Sequence, residues 1–373
     1  MAAGTLTPAL GAFALPHRRT ALGVTARVAV IAALALAVIL PAVEDRDYAT
    51  NLTAVPVYAV VGLGLNVLVG YTGQLSLGQW AFVGIGAMVA ANVAGTGLNN
   101  AEPVYFVVAL LAAAAVGAVV ALLLGAVALR ITGLYLALVT LVFGVIVGDV
   151  VLQIPELNGK SSGVKANRPE FLVTPFRYYL FCLAVLAAVF YLDRRLAASK
   201  AGRAMLALKE NERVAQAFGV NVVSLKLIAF GIAGGTAGLA GGMSVFSSQT
   251  FAQANYTGPA YTAKTLLFVV LVVVGGLGRR GGVVLAAIFF ALVDVITTFL
   301  FGLFPGGTAF YKTNAFWVPG LVGALLLLQT VIQNPGGLGQ AVSPIARWLA
   351  GDRFSLHADD EDMSAADGSA TRA

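Results

Sequence analysis

Polar side chains interrupt an otherwise apolar stretch of the chain between Gly70 and Trp80. Side chains of this kind offer hydrogen bonds to a small polar solute, and broken membrane segments often line transport sites. A tight turn in which Ser76 caps the next helix explains the same residues equally well. The candidate residues for a translocation pathway are Asn66, Gly73, Gln74, Ser76 and Gln79.

A second group of polar residues occupies the charge-rich segment 193–222. Within it, residues 202–221 have apolar side chains at helical spacing, and we place Asn211 and Phe218 on that same face. Gly219 predicts the end of this helix. Such a helix can lie on the membrane surface or fit a groove on a cytoplasmic subunit, and the residues alone do not separate the two.

Residues suited to covalent or metal chemistry are scarce. Cys182 is the only cysteine, and His17 and His357 both lie in polar terminal segments. The run Gly276–Gly281 fits a dinucleotide-binding glycine pattern but lacks the acidic residue and the strand context of that site, so it predicts a turn. We therefore expect no catalytic residue, no metal site, no cofactor and no nucleic-acid partner.

Three ionisable residues fall inside apolar stretches: Asp149, Lys264 and Asp294. A charge at the centre of a bilayer costs about 2.5–3.5 kcal/mol on insertion scales unless it is paired or hydrated. A proton relay that drives secondary transport is one explanation of these residues. A structural pair or a hydrated vestibule is the other.

The composition is that of an integral membrane protein. Hydrophobic residues make up 59% of the 373 residues and charged residues only 11%, with a formal net charge of +6. Because a membrane-spanning helix needs roughly 20 apolar residues, about ten stretches qualify. They are 27–43, 50–69, 75–95, 103–128, 133–152, 176–192, 223–245, 260–277, 282–303 and 316–333. We expect a polytopic, all-α helical bundle, in which glycine ladders such as Gly234, Gly238 and Gly242 serve helix packing.

The distribution of basic residues predicts the orientation of the chain. Ten crossings place both termini on the same side of the membrane. If that side is the cytoplasm, most of the 23 Lys and Arg residues face the cytoplasm, as is usual for membrane proteins. The expected organisation is a cytoplasmic tail over 1–26, a transmembrane domain over 27–335 and a cytoplasmic, largely disordered tail over 336–373. The charged segment 193–222 then faces the cytoplasm.

Six short runs follow one another along the chain: Gly70–Gln79, Gly84–Ala87, Gly133–Gly144, Gly202-Arg203, Lys209–Glu212 and Val274–Gly278. Together they resemble motifs of branched-chain amino acid ABC transporter permeases of the LivM type. The resemblance covers roughly residues 50–335, and the pair Arg279-Arg280 departs from it by its charge.

The resemblance implies an ABC importer permease in a bacterial plasma membrane that carries branched-chain amino acids by alternating access. Its partners would be two cytoplasmic ATPase subunits that bind the ATP, a second permease subunit, an extracytoplasmic binding protein and the lipid bilayer. Segment 202–221 would be the loop that docks on an ATPase. Similar motifs occur in urea and short-amide permeases, so urea and short amides are the alternative substrates. The residues implied in ATPase coupling are Gly202, Arg203, Glu210, Asn211, Ala215 and Gly219.

Overall fold

The computed structural model describes residues 52–95, 103–128, 133–159, 163–302 and Leu338. Apart from Leu338, the predicted tails 1–26 and 336–373 lie outside these residues, as do the predicted crossings 27–43 and 316–333. The helices are α1 (Ala54–Asn66), α2 (Gln79–Gly95), α3 (Pro103–Ala128), α4 (Leu134–Asp149), α5 (Pro155–Asn158), α6 (Pro175–Ala198), α7 (Lys200–Glu210), α8 (Glu212–Ala217), α9 (Val222–Ser248), α10 (Gly258–Gly275) and α11 (Arg280–Gly302).

Each predicted crossing between residues 50 and 303 contains one of these helices. Within the described ranges, five helical segments are long and apolar enough to cross a membrane, and α2, α10 and α11 provide shorter apolar helices. The turn predicted at Gly276–Gly281 lies between α10 and α11. The chain is therefore an all-α polytopic membrane protein.

The core is built around α9, which packs against α2 and α3. Small residues of α3, among them Ala113, Gly117 and Ala121, are buried at intervals of four and so lie on one face. A Cβ atom added to Gly117 would lie 2.5 Å from the carbonyl oxygen of Gly234. The glycine ladder of α9 therefore serves helix packing, as predicted, because only small side chains allow the two backbones this close.

A small cap covers the end of the bundle at which α9 terminates. Strands β1 (Val164–Lys165) and β2 (Thr250–Phe251) pair antiparallel in this cap. The guanidinium of Arg168 donates to the carbonyl oxygens of Phe246 (2.6 Å) and Ser247 (2.5 Å), and it lies 4.3 Å from the Tyr178 ring centroid. Burial lowers the pKa of Arg168, but an arginine remains charged at physiological pH. A cation thus satisfies carbonyl groups that α9 leaves unpaired at its C-terminus.

Candidate functional site

The connection between α1 and α2 is a non-helical segment, residues 73–78, which we call the broken segment; Gln74, Ser76 and Gly78 are buried in it and Gly73 is exposed. Helix α1 runs into one π-helical turn, Val67–Tyr71, of the kind often found at functional sites. The amide of Gly73 then donates to the Val69 carbonyl and the amide of Gln74 to the Leu68 carbonyl, with Gly73 at φ 71°. This left-handed glycine closes the helix and turns the chain back into the protein.

The broken segment obtains its hydrogen bonds from neighbouring helices. The Leu77 amide donates to the Thr140 hydroxyl (2.9 Å), and the Tyr261 hydroxyl donates to the Leu77 carbonyl (2.9 Å). The Gln79 side chain donates to the carbonyl oxygen of Ala233 (2.9 Å), which lies near the middle of α9. Non-helical backbone at this depth is tolerated because protein groups surround it and satisfy it.

Two sequence expectations about this region need correction. The helix predicted from residue 75 begins at Gln79, because residues 73–78 are non-helical and the Leu77 backbone bonds to the side chains of Thr140 and Tyr261 instead. The segment is also longer than a tight turn, since it has six non-helical residues, and in the described part of the chain the Ser76 hydroxyl accepts from the Gly78 amide (3.4 Å) just before α2 begins.

Buried amide groups with unused hydrogen-bonding atoms line this segment. Gln74 and Gln79 are 7% and 1% exposed, and the Oε1 atom of each has no hydrogen-bond partner among the described residues. The orientation of the Gln79 amide is set by its chemistry, because only its NH₂ group can donate to the Ala233 carbonyl. Gln74 in the broken segment and Gln79 at the start of α2 therefore each have a buried acceptor that an N–H group can satisfy.

Two other pathway candidates, Asn66 and Gly73, contact other parts of the fold. The Asn66 Oδ1 atom accepts from the Gly278 amide (2.8 Å), which ties α1 to the turn before α11. A Cβ atom at Gly73 would lie 3.4 Å from the Lys209 side chain on α7. Sequence spacing grouped all five candidates, whereas the structure places Asn66 and Gly73 toward α11 and α7 and places Gln79 against α9.

The charged segment forms two helices rather than the single one predicted. We call residues 199–221, which contain α7 and α8, the coupling segment. The Asn211 Oδ1 atom accepts from the amides of Arg213 (3.1 Å) and Val214 (3.2 Å), so Asn211 ends α7 and caps α8 instead of continuing one helix. Gly219, at φ 78°, ends α8 as its position predicted.

The six residues implied in coupling divide into exposed and buried groups. Arg203, Glu210, Asn211 and Gly219 are exposed. Ala215 is buried in a small cluster that includes Leu208 and Val222, and Gly202 is buried against the end of α6, where a Cβ atom would meet backbone. The exposed group can contact a partner, and the buried pair shapes the segment.

Two features of the coupling segment were missed from sequence. Phe218, expected on the inward apolar face, is 83% exposed, because the break at Asn211 changes the direction of the second helix. Lys226 of α9 pairs with Glu212 of α8 at 2.8 Å. Helical periodicity could not predict this pair, because the two residues are 14 positions apart and lie in different helices.

The ionisable residues inside apolar stretches are not gathered into one relay by the described contacts. The Lys264 ammonium donates to the Tyr58 hydroxyl and lies 5.0 Å from the ring centroid. Asp149 is exposed at the end of α4, and the side chain of Asp294 lies outside the described part. Within the described ranges, no group of three or more His, Cys, Asp or Glu residues could hold a metal ion.

Comparison with known proteins identifies the family. Residues 48–330 match the family described as branched-chain amino acid transport system / permease component. The high-affinity branched-chain amino acid transport system permease proteins LivM of Escherichia coli K12 and Salmonella typhimurium LT2 are 33% and 31% identical over 288 and 287 residues. Each alignment covers 69% of this chain and 65% of the relative, so the chain spans slightly less than two thirds of these proteins.

The alignment with a more distant relative covers a larger share of that relative's length. The probable branched-chain amino acid transport permease protein LivM of Methanocaldococcus jannaschii is 23% identical over 332 residues, which are 75% of this chain and 90% of that protein. No solved structure matches the chain. With its helical architecture and a family match over most of its length, the chain belongs to the branched-chain amino acid transport permease family.

Proposed function

We propose that this chain is the permease subunit of an ATP-binding-cassette importer that carries branched-chain amino acids across a bacterial plasma membrane. The coupling segment carries this proposal. It presents exposed polar groups and an exposed aromatic ring on two capped helices, within a chain of the permease family. An exposed aromatic ring can insert into a groove on a protein or into a membrane surface, and the match to a transport permease family favours the protein partner.

The broken segment supports the proposed substrate class. The ammonium group of an amino acid supplies N–H donors that match the buried Oε1 atoms of Gln74 and Gln79. Next to Gln79 in the chain, the buried Trp80 stacks on Phe268 with ring centroids 5.6 Å apart. A few polar groups within an apolar lining suit a zwitterion with a branched aliphatic side chain. We therefore keep Asn66, Gly73, Gln74, Ser76 and Gln79 as pathway candidates.

The proposed assembly contains two cytoplasmic ATPase subunits, a second permease subunit and an extracytoplasmic binding protein, with both termini of this chain in the cytoplasm. ATP is bound by the ATPase subunits, and this chain makes and breaks no bonds. An ATPase drives alternating access only if its nucleotide states bind the coupling segment with different affinity. The coupling segment then transmits that difference to the helices around the broken segment.

Uptake by membrane vesicles tests this function. Vesicles that contain this chain with co-expressed ATPases, second permease and binding protein should accumulate radiolabelled leucine when ATP is enclosed, and a proton gradient alone should give no uptake. Uptake driven by the gradient through this chain alone would establish a secondary transporter instead. Accumulation of urea or acetamide in place of leucine would assign the short-amide class.

A charge reversal tests the role of the coupling segment in the same assembly. Glu210→Lys, at an exposed position, should lower co-purification of the ATPase about tenfold, because repulsion at an interface costs of the order of 1–2 kcal/mol. Glu170→Lys is the matched control, since it makes the same change at an exposed site in the cap. Equal ATPase recovery from both variants would contradict the proposed docking site.

A further inference from the structure

A buried carboxylate joins three parts of the fold near the coupling segment. Asp193 of α6 has a side chain only 4% exposed. Its Oδ2 atom accepts from the Tyr71 hydroxyl at 3.0 Å and lies 3.2 Å from Nε of Arg280. We call these three residues the junction. Removal of either partner would leave the carboxylate with fewer of the contacts that stabilise a buried charge.

The junction lies where the coupling segment meets the broken segment. Tyr71 ends the π-helical turn, two residues before the broken segment begins at Gly73. Asp193 lies in the last turns of α6, which continues through Ser199 into α7. Arg280 begins α11. A displacement of α7 is therefore transmitted through α6 to Asp193, whose carboxylate contacts both Tyr71 and Arg280.

Close backbone packing makes this connection stiff. A Cβ atom at Gly70 would lie 2.5 Å from the Gly278 nitrogen, so the π-helical turn and the turn before α11 are in direct contact. The Asn66 side chain also accepts from the Gly278 amide. Tightly packed elements shift together instead of deforming separately, which is the property that transmission of a movement requires.

The junction also gives a role to one of two adjacent basic residues at the start of α11. Of the adjacent pair Arg279-Arg280, the first side chain is exposed, whereas the second is partly buried and pairs with Asp193. The Oδ1 atom of Asp193 is buried without a hydrogen-bond partner among the described residues. A carboxylate with one spare oxygen can change its donor without leaving the site when the helices move.

We propose that Tyr71, Asp193 and Arg280 are positioning residues that transmit movement of the coupling segment to the broken segment. This inference rests on the proposed function. Its specific consequence concerns the amount of leucine moved for each ATP hydrolysed. A purely structural role would change the quantity of folded transporter, and it would leave that ratio as it is in the wild type.

The test uses the complete transporter reconstituted in liposomes, with leucine uptake and ATP hydrolysis measured on the same sample. Asp193→Asn and Arg280→Gln should keep ATP hydrolysis within about twofold of wild type while leucine moved per ATP falls at least about fivefold, the usual scale of coupling between sites. Arg279→Gln is the matched control, since it removes the neighbouring exposed charge and should keep the wild-type ratio.

Two milder variants keep the test decisive if a buried substitution prevents folding. Tyr71→Phe removes one hydroxyl and keeps the ring, and it should lower the ratio less than Asp193→Asn does. Arg280→Lys keeps the positive charge and should return the ratio toward wild type relative to Arg280→Gln. Wild-type ratios in Asp193→Asn, Arg280→Gln and Tyr71→Phe, or a parallel loss of uptake and hydrolysis, would overturn the inference.

The outcomes separate this inference from the proposed function. If the wild-type assembly shows no ATP-driven leucine uptake, the proposed function fails and the inference fails with it. If the wild type transports leucine and the junction variants keep its ratio, only the junction is refuted.

Discussion

The packing around α9 and the coupling segment are held together by different forces. Between α9 and its neighbours, glycines bring backbones into contact, so that a Cβ atom at Gly86 would lie 2.5 Å from Cα of Gly238. Among the described residues, the coupling segment has a few buried side chains, such as Met205 and Ala215, and is otherwise held by caps from Ser199, Asn211 and Asn221 and by one ion pair to α9. A larger side chain at the close backbone contacts of α9 is therefore strongly destabilising, whereas the loss of one cap or one ion pair costs little free energy.

This difference suits an element that must move relative to a rigid body. Regions with few buried contacts open and shift at a low free-energy cost, and densely packed helices move as units. We therefore expect substitutions around α9 to remove folded protein and substitutions in the coupling segment to alter partner binding.

The largest effect is expected for Gly86→Val, at the contact of α2 with α9. The added side chain would meet the backbone of α9, and we expect a loss of about 3 kcal/mol or failure to fold. The measurement is the yield of monodisperse protein in detergent and its thermal midpoint. Gly281→Val is the matched control, because a Cβ atom there meets nothing within 4 Å. A wild-type midpoint for Gly86→Val would show that the packing around α9 is not tight.

An intermediate effect is expected for Asn211→Ala, which removes the cap of α8. Loss of a cap costs about 1 kcal/mol locally, so ATPase binding should weaken about fivefold. The thermal midpoint of the chain should not change, because α8 adds little to the packed core. Titration with purified ATPase measures the affinity. Asn211→Ser, which can still cap the helix, should bind like wild type, and a lowered midpoint for Asn211→Ala would place α8 within the cooperative core.

The smallest effect is expected for Glu212→Gln, which removes the ion pair with Lys226. The Glu212 side chain is 43% exposed, so water and salt weaken the interaction to less than about 1 kcal/mol. Hydrogen exchange at the α8 amides should accelerate slightly at low salt and match wild type at high salt. An effect that persists at high salt would mean that the pair is shielded and belongs with the packed core.

The sequence was sufficient to predict what depends on local composition. Each apolar run of membrane length predicted between residues 50 and 303 contains a helix in the structure. Gly219 was identified as a helix end, because its backbone conformation is costly for other residues. The resemblance to the permease family came from short motifs in order, and the family match over 48–330 confirms it.

Contacts between distant parts of the chain could not be predicted in this way. The sequence treated residues 75–95 as one complete crossing, and only the bond from Gln79 to Ala233 shows that α2 begins beside the middle of α9. The break at Asn211 was missed because its side chain can either continue a helix or cap one. Tertiary packing decides between the two by burying Ala215 and exposing Phe218.

Composition and periodicity alone therefore determined that this chain is a helical membrane protein, because a helix that crosses a bilayer must be long and apolar whichever helices pack against it. Only the tertiary structure decided which polar groups meet. Asp193, Tyr71 and Arg280 are far apart in sequence, and their hydrogen bond and ion pair exist because three helix ends come together. No local pattern encodes that meeting, since it depends on how whole helices pack.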